Sequence, residues 1–267
     1  MDINIELMEV FFDLIAEQNL QRIREFINKG CDINFQIDDG ITPLLMAAGT
    51  GNLEMVQLLV QNGANVNQTD IYGHSSLMYA AFDGFWDIFD YLAPLTSPEW
   101  RGTGLLAAAF DNEHRIVQAL IDTDINVDAC RQTGVWSENG MTALMIAAQG
   151  GYSTVVKMLL EASANPNLAD EDTGGTPLIF AVESGDVETV SLLLEAGADV
   201  NSQNLTGKTA LMKAAQFGNV EIAKTLLQSG ADINIKNYEG KLALNYAQNK
   251  NYTEIVELLK NVQTKEN

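Results

Sequence analysis

A stack of paired helices is the fold this sequence predicts, and three observations predict it. The phrase Thr42-Pro43-Leu44 returns as Thr142-Ala143-Leu144, Thr176-Pro177-Leu178 and Thr209-Ala210-Leu211. The matching leucine recurs at Leu44, Leu77, Leu105, Leu144, Leu178, Leu211 and Leu244, in steps of 33, 28, 39, 34, 33 and 33 residues. A period of that length, carried by matching phrases, marks units that repeat and stack. Each phrase opens an apolar stretch, a turn and a second apolar stretch. In the second stretch Val56, Leu59 and Val60 stand at i, i+3 and i+4, as do Val156, Leu159 and Leu160, and Val190, Leu193 and Leu194. That spacing is one apolar helix face per unit. No unit can bury such a face alone, so neighbours in series must cover it.

The elements follow in order. Residues 14–34 carry only the second half of the phrase, with Asn19-Leu20 matching Asn52-Leu53, and Cys31-Asp32-Ile33-Asn34 matching Ala64-Asn65-Val66-Asn67. The helix before it, from about Glu6 to Glu17 with Phe11 and Phe12, reads as a cap. The first full unit runs from Gly40-Ile41-Thr42-Pro43-Leu44-Leu45-Met46-Ala47-Ala48 through Gly51-Asn52-Leu53 to Gly63-Ala64-Asn65-Val66-Asn67. These linked phrases resemble the ankyrin repeat over nearly the whole chain, best at residues 40–72, 140–174, 175–206 and 207–239. The resemblance implies an all-α fold, an ankyrin-repeat solenoid of stacked helix-turn-helix units with β-turn fingers. Gly63, Gly197 and Gly230 follow the second helices, where a left-handed residue stops a helix without steric cost. Lys241-Leu242-Ala243-Leu244 opens a last unit that finishes at Leu259. The expectation is a single repeat domain over residues 1–267: an N-terminal cap at 1–36, repeats at 37–239 that are irregular at 73–140, and a C-terminal cap at 240–267. Eight helix pairs result. One departure from the best-known family phrase is the missing histidine after Thr-Pro-Leu, replaced by Leu45, Met78, Leu106, Met145, Ile179, Met212 and Asn245. Apolar residues there trade a local hydrogen bond for packing.

Charge narrows the partners. The chain carries 36 acidic residues against 15 basic ones, a formal net charge of -21. A phosphate backbone or an anionic membrane needs a positive field, so direct nucleic-acid binding and membrane binding are disfavoured. No lysine lies between Lys29 and Lys157, and in that span only Arg101, Arg115 and Arg131 offset fifteen carboxylates. This reads either as a solvated surface or as an acidic groove that steers a basic partner. No basic stretch precedes an apolar run at the start, and no apolar run is long enough to span a bilayer. A soluble, cytoplasmic protein, monomeric by itself, is expected. Cys31 and Cys130 lie about three units apart, too far for a disulfide, so reduced thiols are expected.

The irregular units hold all three tryptophans, Trp86, Trp100 and Trp136. Pro94 stops the helix that starts near Phe85, the following loop is five residues short, and this unit loses its finger. The next unit instead gains six residues around Arg131–Gly140, with Trp136 in a polar, Gly-flanked loop where it either contacts a partner or folds back. Phe85, Trp86, Phe89 and Leu92 stand at helix spacing and read as core. By the family resemblance, partner contacts come from finger tips and from the two residues before the glycine that closes each first helix. Mapped onto this chain, the candidates are Tyr72, His74, Phe82, Asp83, Phe110, Asp111, Met141, Gln149 and Phe217, with Trp136 added from its loop. Ile41, Gly49, Thr50, Glu183, Ser184, Lys208 and Gln216 occupy related slots. Phe82, Phe110 and Phe217 are expected at matching positions, an aromatic line interleaved with Asp83 and Asp111 that suits a basic, amphipathic ligand.

Catalytic readings find little support. His74 and His114 stand apart, no cysteine or histidine spacing forms a ligand set, and no cofactor or metal is expected. Gly102-Thr103-Gly104 follows no strand, and Asp122–Asp128 lacks the glycine and the glutamate of a calcium loop. Asp170-Glu171-Asp172 reads as a solvated turn rather than a cation site. The resemblance also places Asn67, Asn167, Asn201 and Asn234 in a slot that is hydroxylated in some ankyrin proteins. Two functions stand against each other: a non-catalytic interaction module that binds a protein partner through a concave, acidic and aromatic face, and a dedicated inhibitor of antitoxin or immunity type that occludes a basic enzyme or nucleic-acid-binding protein.

Overall fold

The structure, a computed structural model, describes residues 3–123, 125–130 and 140–266. Among them are sixteen α-helices and one 3-10 turn, and the helices fall into eight consecutive pairs. Their contacts divide the chain into two compact units, residues 1–107 with 122–126, and residues 108–121 with 127–267.

In the first unit α1 (Ile3–Ala16) pairs with α2 (Leu20–Asn28), α3 (Pro43–Gly49) with α4 (Leu53–Gln61), and α5 (Ser76–Phe82) with α6 (Trp86–Leu92). α1 packs on α3 and α3 on α5, while α4 lies against α6. The N-terminal cap is aromatic: Phe11 and Phe12 pack edge-on against Phe35, with ring centroids 5.7 and 5.5 Å apart. The helix before Pro94 does end at Leu92, and Phe89 and Leu92 are buried while Phe85 and Trp86 are half-buried. α7 (Pro98–Phe110) then begins five residues before Thr103, where the phrase Thr103-Gly104-Leu105 starts. Residues that elsewhere form a finger are therefore helical here, Gly102-Thr103-Gly104 among them.

The second unit holds α8 (His114–Ile121), α9 (Ala143–Gly150), α10 (Ser153–Glu161), α11 (Pro177–Ser184), α12 (Val187–Glu195), α13 (Ala210–Phe217), α14 (Val220–Gln228), α15 (Ala243–Lys250) and α16 (Thr253–Glu266). The first helices α9, α11, α13 and α15 form one row, and the second helices α8, α10, α12, α14 and α16 form another.

The recurring phrase is a helix start. The hydroxyl oxygens of Thr42, Thr142 and Thr209 accept from the backbone N–H groups of Leu45, Met145 and Met212 at 3.2–3.3 Å, satisfying a donor that the first turn leaves open. Pro43 and Pro177 occupy the first helical position, where the missing N–H costs nothing. The leucines from Leu44 to Leu211 are buried, as are Leu45, Met78, Leu106, Met145, Ile179 and Met212 in the slot that lacks histidine. In the last unit Asn245 restores the polar contact, its Oδ1 accepting from the Leu242 N–H at 2.8 Å. Gly63, Gly197 and Gly230 have φ of +95°, +88° and +89°, the left-handed stops their positions call for, whereas Ser163 holds the same slot at +68°.

Adjacent units are also stitched by asparagine. The Asn167 amide donates to the Gly197 carbonyl at 3.0 Å and accepts from the Asp199 N–H at 2.7 Å; Asn201 does the same toward Gly230 and Asp232. In the first unit Asn34 bridges to Gly63 and Asn65 in the same way.

Candidate functional site

Among the described residues four fingers are hairpin turns, each built on one buried Asp or Asn, whereas the first closes from the Ile37 N–H to the Ile41 carbonyl. Asp70, Asp170, Asn204 and Asn237 sit at the bases of the four, and their own N–H groups bond to the carbonyls of His74, Gly175, Lys208 and Lys241. Their side-chain oxygens collect the turn's N–H groups, the local competition with regular structure that makes these residue types favour turns. At Asp170 both oxygens are taken by the Asp172, Thr173 and Gly175 N–H groups and the Thr173 hydroxyl, which accounts for the acidic Asp170-Glu171-Asp172 run as a turn device.

The first unit makes more of this device. Asp70 Oδ1 accepts from the N–H groups of Tyr72 and His74 at 2.9 and 2.8 Å, while its Oδ2 lies 3.0 Å from His74 Nδ1 and accepts from the Tyr79 hydroxyl at 3.1 Å. Burial pushes the Asp70 carboxyl up, but the side-chain and backbone hydrogen bonds from His74, its charge and the Tyr79 bond outweigh this and hold it below 3.8. Burial, then the charge and hydrogen bond of Asp70, then the Asp39 carboxylate push the Tyr79 phenol well above its usual range. The His74 ring stands edge-on to Phe82 with centroids 5.4 Å apart and lies 6.1 Å from Tyr72. Tyr72, His74 and Tyr79 thus gather around one buried carboxylate, with Phe82 joined to them through the His74 ring. Tyr72 and Phe82 remain 50% and 41% exposed, although neither ring is needed to fill the core.

The second unit carries a different surface at the related slots. Lys213 pairs with Glu183 of the preceding repeat and lies 5.9 Å from the Phe217 ring centroid. Lys208 Nζ donates to Gln216 at 3.1 Å and sits 5.2 Å from the ring centroid of Tyr246 in the following repeat. Phe110 and Phe217 are exposed at 51% and 45%, and Asp111 and Gln149 are exposed as well.

Three expectations need correction or fall away. Met141 is 6% exposed and packs with Met145 and Phe180, so its side chain belongs to the core and offers nothing to a partner. Phe217 does not match Phe82 and Phe110. Counted from the phrase leucine it falls one residue later, in the register of Asp83 and Asp111, because Gly218 aligns with Gly84. Trp136 lies outside the described residues. The sequence reading also missed the finger-tip residues Ile71, Leu205 and Tyr238, which are exposed apolar side chains sharing one slot. Their N–H groups bond to the finger before them, at Asp39, Thr173 and Thr206. Their common distance of six residues from the phrase leucine was the available signal.

Among the described residues no group of three or more His, Cys, Asp or Glu could hold a metal ion, and no helix is long and apolar enough to cross a membrane. Cys31 and Cys130 are free thiols.

The family description "Ankyrin repeats (3 copies)" matches residues 12–100, 105–204 and 199–267, nearly the whole chain. The chain belongs to the ankyrin repeat family. Its all-helical pairs are the helix-turn-helix units of an ankyrin-repeat solenoid, and ankyrin repeats serve generally as protein–protein interaction modules. Relatives include the ankyrin repeat and KH domain-containing protein mask-1 of Caenorhabditis elegans, 32% identical over 136 residues, covering 48% of this chain and 5% of that protein. The potassium channel AKT2/3 of Arabidopsis thaliana is 30% identical over 129 residues, 47% of this chain and 15% of the channel. The E3 ubiquitin-protein ligase XBAT33 of the same plant is 41% identical over 151 residues, 46% of this chain and 29% of the ligase. The matched part spans less than a third of each of these relatives. What they share with this ankyrin chain is the repeat.

Proposed function

We propose that this ankyrin chain is a non-catalytic interaction module that binds a protein partner through the acidic and aromatic face formed by its finger bases and the ends of its first helices. One observation carries the reading: Phe82, Phe110 and Phe217 close their helices with exposed rings, while the leucines and alanines earlier in those helices are buried. Large rings with this much exposed surface are the kind of side chain that supplies binding energy at low entropic cost. Asp83 and Asp111 beside them favour a basic partner and speed its approach.

The test is affinity capture with the intact protein from its native lysate at low and moderate salt, followed by mass spectrometry. Phe82→Ala and Phe110→Ala together should release the partner while leaving the melting temperature nearly unchanged. Unfolding of the array instead would make these rings core and remove the reading. One tightly held basic enzyme or nucleic-acid-binding protein would turn the module into an inhibitor; several weaker partners would make it a scaffold.

A further inference from the structure

The first unit contains a notch that the interaction reading alone does not explain. Gly49 is the last residue of α3, at the slot where the second unit places Gln149, Glu183 and Gln216. Its backbone does not require glycine, since its φ is not among the positive values of this chain. A β-carbon built there would stand 3.4 Å from Tyr79 Cδ1 and 3.6 Å from an Asp83 carboxylate oxygen, ordinary van der Waals contact. Helix propensity also ranks glycine below residues that carry a side chain. Gly49 leaves the point that the Tyr79 ring and the Asp83 carboxylate both approach without a side chain from α3.

The charge around that point is one-sided. Asp39 is close enough to act on the Tyr79 phenol, and Asp83 lies at the edge of the notch. Among the described residues neither carboxylate has an ion-pair partner, and no lysine occurs from residue 30 to residue 156 to supply one. The Tyr79 ring and the Asp83 carboxylate approach the same point over Gly49, the His74 ring stands edge-on to Tyr79 and to Phe82, and aromatic faces attract cations.

We propose that the notch over Gly49 receives one cationic side chain, a guanidinium or an ammonium, from the partner polypeptide. The proposal rests on the interaction reading above and specifies its chemistry in the first unit: Asp83 and Asp39 supply the charge, Tyr79 the wall and Phe82 the apolar rim.

A labelled arginine- and leucine-bearing peptide, amphipathic as a helix, is the probe, and its citrulline counterpart is the isosteric neutral control. Binding to the full-length chain is followed by fluorescence anisotropy. The arginine peptide should bind, and the citrulline peptide should bind at least about tenfold more weakly. Gly49→Gln keeps the side chain that α9 and α13 already carry at this slot, so it should fold with an unchanged or higher melting temperature and lose about tenfold in affinity. Asp83→Asn should lose a similar factor without filling the notch, whereas Glu188→Gln, an exposed carboxylate of the second unit, should bind like the unaltered protein. Equal weakening by Asp83→Asn and Glu188→Gln would mean diffuse charge attraction and overturn the notch, as would full affinity in Gly49→Gln. Capture from lysate separates the two readings. A partner lost by Phe82→Ala but kept by Gly49→Gln and Asp83→Asn leaves the module standing and the notch refuted.

Discussion

The Asp70 device can be taken apart with two substitutions, one that removes the carboxylate and one that replaces a single oxygen of it by nitrogen. Asp70→Ala removes the acceptor for four groups at once: two backbone N–H groups, His74 Nδ1 and the Tyr79 hydroxyl. A hydrogen bond to a charged group contributes about 1.5–3 kcal/mol, but the exposed finger tip lets water recover part of the loss at Tyr72. The net cost should be about 2–4 kcal/mol. Asp70→Asn keeps Oδ1 for the same two N–H groups, the arrangement Asn237 already uses with Glu239 and Lys241. Its Nδ2 can donate to the Tyr79 hydroxyl as Asn237 Nδ2 does to Tyr246 at 3.0 Å, so the cost should stay below about 1 kcal/mol. Urea unfolding gives the two losses, and amide hydrogen exchange at Tyr72 and His74 locates them. The pH dependence adds a sign. A carboxyl whose folded pKa is depressed contributes stability that is fully present above its unfolded value near 3.8 and is lost as pH falls through the lower folded value. The advantage of the unaltered protein over Asp70→Asn should therefore persist at neutral pH and close below about pH 3.8. Equal destabilisation by both substitutions at neutral pH would refute the reasoning, since it would make the charge, not the acceptor geometry, the element that holds the finger.

Two further outcomes separate cap from filler and strain from need. Thr209→Ala should cost about 1 kcal/mol in thermal unfolding through the lost bond to Met212, whereas Thr176→Ala should be near neutral, because the buried Thr176 hydroxyl has no hydrogen-bond partner. Ser163→Gly should raise stability by about 0.5–1 kcal/mol, since Ser163 occupies at φ +68° the slot that Gly63, Gly197 and Gly230 fill without steric penalty; a loss in urea unfolding would show that the serine side chain matters there.

The fold was legible because its signals are local and redundant. Threonine at the helix start, leucine beneath it and glycine after the second helix each answer a separate physical demand, and each recurs at one interval. The site was legible only in part. Tyr72, His74 and Phe82 could be marked from their slots, but the Asp70 carboxylate that ties Tyr72 and His74 together, and the Tyr79 hydroxyl bonded to it, are not revealed by sequence spacing. Met141 failed because its slot is half-buried or exposed at Ile41, His74, Lys208 and Lys241, yet Phe180 of the next repeat packs with it here. That contact depends on the neighbour's side chain, which no single-repeat pattern contains. The Phe217 register failed for a simpler reason: a one-residue offset is invisible when only the chemistry of the residue is compared.

The same offset shows where such a chain keeps its freedom. The slot three residues before the phrase leucine holds Ile41, His74, Met141, Gly175, Lys208 and Lys241, a run of size and charge that no packing rule could tolerate in a core position. The slot one residue after that leucine is buried and apolar from Leu45 to Met212. Packing dictates the second and, apart from the buried Gly102, Met141 and Gly175, leaves the first open, so repeats with a common frame can present His74 beside Asp70 in one place and Lys208 over Tyr246 in another. The variable slot also decides charge. In the first unit it places a histidine against a carboxylate with acidic neighbours, and in the second it places lysines beside Gln216 and Glu239. On the proposed reading, the surface of the first unit would favour a cation from a partner, while that of the second would favour groups that tolerate its lysines, a distinction that the net charge of -21 does not convey.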